Sequence, residues 1–206
     1  MLADLSVRRF LDELAAKSAT PGGGSAAALA GAMAASLAAM TAALTMGKKA
    51  YAAAEGEMRD VETHARPLAE KFLRLVDADA EAYAQVMTAF KLPKDKPDEI
   101  AVRTEAIRRA TLLAAQAPLD TLRAAGETLE LVAVAARLGN RNCASDAAVA
   151  GQLALAAAEG AYRNVTVNLD SLPAGDAEAA ALRRQAERLI ADCRIAGETL
   201  KSSTPR

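Results

Sequence analysis

Hydrophobic and polar positions fall into helical periods along most of the chain. Val7, Phe10, Leu11 and Leu14 recur at steps of three and four, which predicts a first helix from Ser6 to about Lys17. Pro21 and Gly22, Gly23 and Gly24 end it. From Ala26 to about Met46 the pattern changes: there is no charged residue, and Ala dominates around Gly31, Ser36, Thr41 and Thr45. A helix apolar on every side must be surrounded by protein or by lipid. Small side chains also let neighbouring backbones approach, so this stretch reads as a central rod with Ser25 as its N-cap. Tyr51 to Phe90 is helix-compatible, with Pro67 expected to break, kink or restart the run. A polar connector at Leu92–Pro97 leads to a helix opened by Asp98 and Glu99, carrying Ile100, Thr104, Ile107 and Thr111. Pro118 begins a stretch to Leu138 that Gly139-Asn140 closes as a C-terminal cap pair. Ser145 or Asp146 is placed to cap the next helix, to about Leu169, and the last spans Ala177 to Leu200. Lys201 to Arg206 are expected to fray. No stretch alternates with a strand period. The expectation is an all-α helical bundle around a buried Ala-rich helix, a single domain over residues 1–206.

Composition narrows the chemistry. Of 206 residues 52% are apolar but only 3% aromatic, so the core is built from Ala, Leu and Val, which favours close-packed helices. With 25 basic against 26 acidic residues the net charge is −1, and no basic excess draws the chain towards nucleic acid. Cys143 and Cys193 follow no metal or redox spacing, and no signal segment is visible, so reduced thiols and a cytoplasmic location are expected. His64 is the one histidine. Neither a Ser-His-Asp triad nor a histidine-based metal site is therefore expected. The apolar helix is long enough to span a bilayer, and Gly31 with Ala35 makes a small-xxx-small spacing. Ala contributes little to transfer into lipid, however, and no aromatic belt flanks the segment apart from Tyr51. A buried helix without a membrane partner is the expectation.

The sharpest clue is a carboxylate on an apolar face. Phe72, Leu75, Val76, Tyr83, Val86, Met87 and Phe90 trace one helical stripe, and Asp79 falls inside it, three residues after Val76 and four before Tyr83. Asp77 and Glu81 share a different face, expected to be bathed in water. A carboxyl group on an apolar face is desolvated, which raises its pKa and fits it to hold and pass a proton near neutral pH. A structural alternative is an Asp bonded to a neighbouring helix end or to a Lys.

Other polar residues gather in sequence. Asn140, Ser145 and Asp146 follow the helix ending at Leu138. Asn164 and Asn168 are four apart on one face of an Ala- and Leu-rich helix, where paired amides read the edge of a polar heterocycle or bond neighbouring helices. Lys48 and Lys49 follow a helix end, where they serve the macrodipole or hold an anion. The glycine-rich loop lacks the Lys-Ser/Thr of a Walker loop, so ATP binding is not expected.

Together these pieces resemble the formiminotetrahydrofolate cyclodeaminase and methenyltetrahydrofolate cyclohydrolase family. The matching segments are Pro21-Gly22-Gly23-Gly24-Ser25-Ala26-Ala27-Ala28, Gly47-Lys48-Lys49, Val76 to Tyr83 and Lys91-Leu92-Pro93-Lys94. Ala117-Pro118-Leu119, Gly139-Asn140, Ser145-Asp146 and Gly160 to Asn168 continue the match in family order over nearly the whole chain. The resemblance implies an all-α homodimer with a tetrahydrofolate substrate near the subunit interface and no permanently bound cofactor or metal. It implies that Asp79 is the catalytic proton donor and acceptor. It also carries substrate-binding roles to Pro21, Gly22, Gly23, Gly24, Ser25, Lys48, Lys49, Asn140, Ser145, Asp146, Asn164 and Asn168. The chain shows no formiminotransferase domain to deliver formimino-folate, so hydrolysis of 5,10-methenyltetrahydrofolate is the expected reaction. Formiminotetrahydrofolate cyclodeamination is the alternative, and a non-catalytic folate-binding or scaffold dimer a second one.

Overall fold

The computed structural model describes residues 1–203. Seven α-helices follow one another: α1 (Val7–Leu14), α2 (Gly23–Ala43), α3 (Glu55–Phe90), α4 (Pro97–Ala114), α5 (Gln116–Leu138), α6 (Ala144–Asp170) and α7 (Ala177–Ser203). Short 3-10 turns lie at Leu2–Asp4, Lys49–Ala54 and Arg141–Cys143, and the described residues contain no strand. The protein is all-α. The end of the stretch expected to fray, beyond Ser203, lies outside the described residues.

α2 packs on α3, α5 and α6. Its 21 residues make a rod roughly 30 Å long at 1.5 Å per residue. α3 and α6 run antiparallel to it, since Gly31 of α2 meets Phe72 of α3 and Ala27 meets Gly160 of α6. A Cβ on Gly31 would sit 2.3 Å from the Phe72 ring, and one on Gly160 would sit 2.9 Å from Ala27 Cβ. These two absent side chains set how closely the three helices approach. Fully buried Met58, Phe72, Leu119, Leu122 and Leu129 fill the remainder of the core between runs of Ala.

Several expected boundaries move. α2 starts earlier than Ala26: Gly22 is the extended N-cap, so Ser25 lies inside the first helical turn and does not cap it. The helix α3 passes through Pro67 unbroken over 36 residues. The hydrogen bond that proline removes would have gone to Thr63, on the exposed side, where water can serve the carbonyl. Gly139 adopts an extended conformation rather than a left-handed cap. Its lack of a side chain answers to crowding, because a Cβ there would meet the Ala135 carbonyl oxygen at 2.3 Å and Thr41 Cγ2 at 3.0 Å. Neither Ser145 nor Asp146 caps α6; the N-cap is Cys143, and both residues occupy the first turn.

Two apolar surfaces expected to be covered are open. Beyond Asp79, α3 outruns the N-terminal end of α2, leaving Tyr83, Met87 and Phe90 between 39% and 47% exposed. Along α2 itself, Met33, Met40 and Leu44 are 46%, 37% and 47% exposed.

Candidate active site

The N-terminal turn of α2 meets the middle of α3 at Asp79. Ser25, fully buried, donates its hydroxyl to the Val76 carbonyl at 2.9 Å and to Asp79 Oδ2 at 3.1 Å. Its backbone N–H also bonds the Asp79 carboxyl. Gly24 makes this contact sterically accessible: a Cβ there would lie 2.0 Å from Asp79 Oδ1 and 2.5 Å from Cγ. Only a residue without a side chain lets the carboxyl lie against the helix entrance.

Burial pushes the Asp79 carboxyl above its ordinary value, against the lowering pull of the Ser25 hydroxyl and backbone N–H. A single hydroxyl proton shared between two acceptors lets Ser25 serve both protonation states. It donates to Asp79 when that group is ionised, and it can turn to Val76 and accept from Asp79 when it is protonated. The carboxyl is half-buried, so a ligand can reach it.

α6 supplies the next wall. The side-chain amide of Asn164 lies by Gly23, whose Cβ would be 3.5 Å from Nδ2. Asn164 donates to the Gly160 carbonyl at 2.8 Å, which uses one N–H and leaves the amide oxygen and the other N–H. Pro21 is buried and Gly22 half-buried beside this turn. Tyr83, one turn beyond Asp79 on α3 and expected on the buried stripe from its spacing, is instead 39% exposed.

Other expected residues lie elsewhere. Asn168 donates to the Ala114 carbonyl at 3.3 Å, closing the end of α4. Asn140 is 5% exposed and bonds the far end of α2, its backbone N–H to Thr45 Oγ1 at 2.8 Å and Nδ2 to the Leu44 carbonyl at 3.2 Å. Lys48, Lys49, Ser145 and Asp146 lie at that same end, near the left-handed Gly47. Within one chain the candidate residues thus form two groups, separated by the length of α2. Asp77, expected to face water, is 7% exposed: Oδ1 accepts the Leu2 backbone N–H, and Oδ2 is buried without a partner. The turn at Leu2–Asp4 folds over this face of α3, which period alone does not reveal.

The all-α fold thus sets a half-buried carboxyl, raised by burial, at a glycine-lined helix entrance. The chain belongs to the Formiminotransferase-cyclodeaminase family, whose profile matches residues 6–188. It is 37% identical over 172 residues to a methenyltetrahydrofolate cyclohydrolase of Methylorubrum extorquens, covering 84% of this chain and 83% of that one. It is 36% identical to the formimidoyltransferase-cyclodeaminase of Rattus norvegicus over 83% of its own length, and spans 32% of that longer protein. The crystal structure of formiminotetrahydrofolate cyclodeaminase from Thermotoga maritima superposes with a TM-score of 0.88 at 28% identity, covering 99% of this chain and 98% of that one. The protein is accordingly an enzyme of folate one-carbon metabolism.

Proposed function

We propose that this enzyme hydrolyses 5,10-methenyltetrahydrofolate to 10-formyltetrahydrofolate, with Asp79 carrying the proton. The observation that carries the reading is the half-buried Asp79 carboxyl, raised by burial and held by Ser25 where Gly24 leaves room. In this mechanism water adds to the bridging carbon of the substrate and gives one proton to the Asp79 carboxylate. The resulting tetrahedral intermediate collapses as its C–N5 bond breaks. Asp79 returns its proton to N5, and the hydroxyl proton leaves to solvent as the formyl group forms on N10. A carboxyl near its ordinary value would be a weaker base for the first step. One raised by desolvation is better matched to both. Asn164 is assigned to the pterin edge, Lys48 and Lys49 to the anionic tail, and the helix α2 is the element on which a homodimeric site is organised. This reading uses no metal or resident cofactor, and places the enzyme in the cytoplasm.

The relative matched over 83% of its own length is a cyclohydrolase, which favours hydrolysis. The matched Thermotoga maritima protein favours the second reading, cyclodeamination, in which N10 attacks the formimino carbon and the departing amine takes the Asp79 proton as ammonia. A paired assay separates them: loss of 5,10-methenyltetrahydrofolate above its spontaneous hydrolysis, and ammonia release from 5-formiminotetrahydrofolate. Methenyl consumption without ammonia is expected. Ammonia release would establish the second reading, and binding without turnover on either substrate would leave a folate-binding scaffold. An Asp79→Asn enzyme with full turnover would end the assignment of Asp79.

A further inference from the structure

The chain has three Tyr, three Phe and no Trp, and the fold gives a partner to all but one of these rings. Phe10 and Phe72 are buried in the core. Phe90 lies under the Arg103 guanidinium, 5.4 Å from its ring centre, and its carbonyl accepts from the same side chain. Tyr162 holds Arg194 at 5.8 Å, and the Tyr51 hydroxyl accepts the Arg141 backbone N–H at 3.0 Å. Tyr83 has neither a hydrogen bond from its hydroxyl nor a cation on its ring among the described residues, and it is 39% exposed. It stands four residues after Asp79 on α3, a spacing that sets two side chains on one face with Cβ atoms about 5–6 Å apart. Long helical side chains lean towards the N-terminus of their helix, which for residue 83 is the turn that carries Asp79. α2 begins level with that turn, where Gly24 meets the Asp79 carboxyl, so α3 runs on past it with this ring open.

Folate substrates supply the complementary chemistry. 5,10-Methenyltetrahydrofolate carries one positive charge spread over N5, the bridging carbon and N10, and 5-formiminotetrahydrofolate presents a basic amidine at the same place. 10-Formyltetrahydrofolate carries no charge there. We propose that the face of the Tyr83 ring binds the amidinium of the substrate beside Asp79, so that Tyr83 selects the cationic folate over its neutral product. An aromatic face attracts a cation within about 6 Å of its centre, and more strongly as water is excluded. Water addition ends that attraction. A C–O bond forms, the C–N π pair becomes a nitrogen lone pair, and a proton passes to Asp79, leaving the tetrahedral carbon uncharged. The ring therefore holds the bound substrate and not the intermediate, which lowers KM without raising kcat. This role rests on the folate reading above, in either of its two reactions.

Variants at position 83 are read through KM and kcat for the folate that turns over, inhibition by 10-formyltetrahydrofolate, and a thermal melt. Tyr83→Phe keeps the π face and should stay within about twofold of native in both constants. Tyr83→Leu keeps apolar bulk and removes the face. Its KM should rise about tenfold with kcat unchanged or higher, while inhibition by 10-formyltetrahydrofolate stays within about twofold. Phenylalanines carrying one, two and three ring fluorines, introduced at this position, draw electron density from the face while making the ring more apolar. KM should climb step by step along that series, an order that packing and hydrophobic contact do not produce. A Tyr83→Leu KM within about threefold of native, a flat or falling fluorine series, or equal weakening of the neutral folate would each overturn the proposal. So would a loss of kcat in Tyr83→Phe, which would assign the hydroxyl instead of the ring. A native enzyme that turns over neither folate would refute the function itself, whereas turnover with a flat series would refute the role of Tyr83 alone.

Discussion

Replacing Gly24 with Ala tests whether the carboxyl is positioned by the absence of a side chain. The new Cβ would fall 2.0 Å from Asp79 Oδ1, 2.5 Å from Cγ and 2.7 Å from Oδ2. Ordinary contact requires the carboxyl to withdraw by about 1 Å or more, a scale of misplacement that costs about 100-fold in rate. The withdrawal also removes the 3.1 Å hydrogen bond from Ser25. Stability should change far less, because the side chain that must move is partly exposed and Ala is the better helix former by about 1 kcal/mol. The expected outcome is a folded enzyme with turnover of 5,10-methenyltetrahydrofolate down about 100-fold, read beside a thermal melt. Gly56→Ala is the control: nothing lies within 4 Å of its Cβ, so turnover should hold. In an Asp79→Asn background Gly24→Ala should add almost no further loss. A Gly24→Ala enzyme within about threefold of native turnover would refute the steric argument, since a misplaced proton carrier cannot be so mild.

Three further outcomes follow from the same contacts. Because burial raises the Asp79 pKa in the folded chain, the native protein loses stability as pH rises from the ordinary carboxylate range through that raised value. Asp79→Asn should therefore melt above the native protein at pH 7, with the gap closing as pH falls towards 4; an unchanged gap would contradict the burial. Gly31→Ala drives a methyl to 2.3 Å from the Phe72 ring and should cost about 1–3 kcal/mol in urea unfolding; a loss below about 0.5 kcal/mol would show that α2 and α3 can separate freely. Burial, with Asp192 and Glu159 nearby, pushes the Cys193 thiol up to about 11, so a thiol reagent should label it at pH 8 only after unfolding; rapid native labelling would place it at the surface.

The helical periods, the connector at Leu92–Pro97 and the unusual position of Asp79 were legible because they depend on local spacing. A period of 3.6 residues fixes which side chains share a face, and it singled out a carboxyl among apolar neighbours without reference to any other segment. The Gly139-Asn140 pair also marked the end of α5 at Leu138, although the reason for that glycine proved to be Ala135 and Thr41 rather than a left-handed cap. Composition, with a single histidine, turned the expectation away from histidine catalysis and pointed to an Ala-packed core.

What covers each face is decided by other helices, and no local pattern contains that. Asp77 and Asp79 are two residues apart, yet the first lies under the N-terminal turn and the second opens onto the entrance of α2. Tyr83, Met87 and Phe90 continue the apolar period past the point where α2 ends, so the same stripe is core at Phe72 and surface at Phe90. Asn164 and Asn168 share a face by spacing, but one lies by Gly23 while the other reaches the end of α4. Ser25 read as a cap because caps are a local motif; α3 crossing above it made its hydroxyl a partner of Asp79. The sequence by itself determined the helices and which residue among them carried unusual chemistry, since both follow from spacing along one chain. Only the tertiary structure decided that Gly24 makes room for that residue and that the lysines lie a helix length away, since those are distances between segments that the order of residues does not encode.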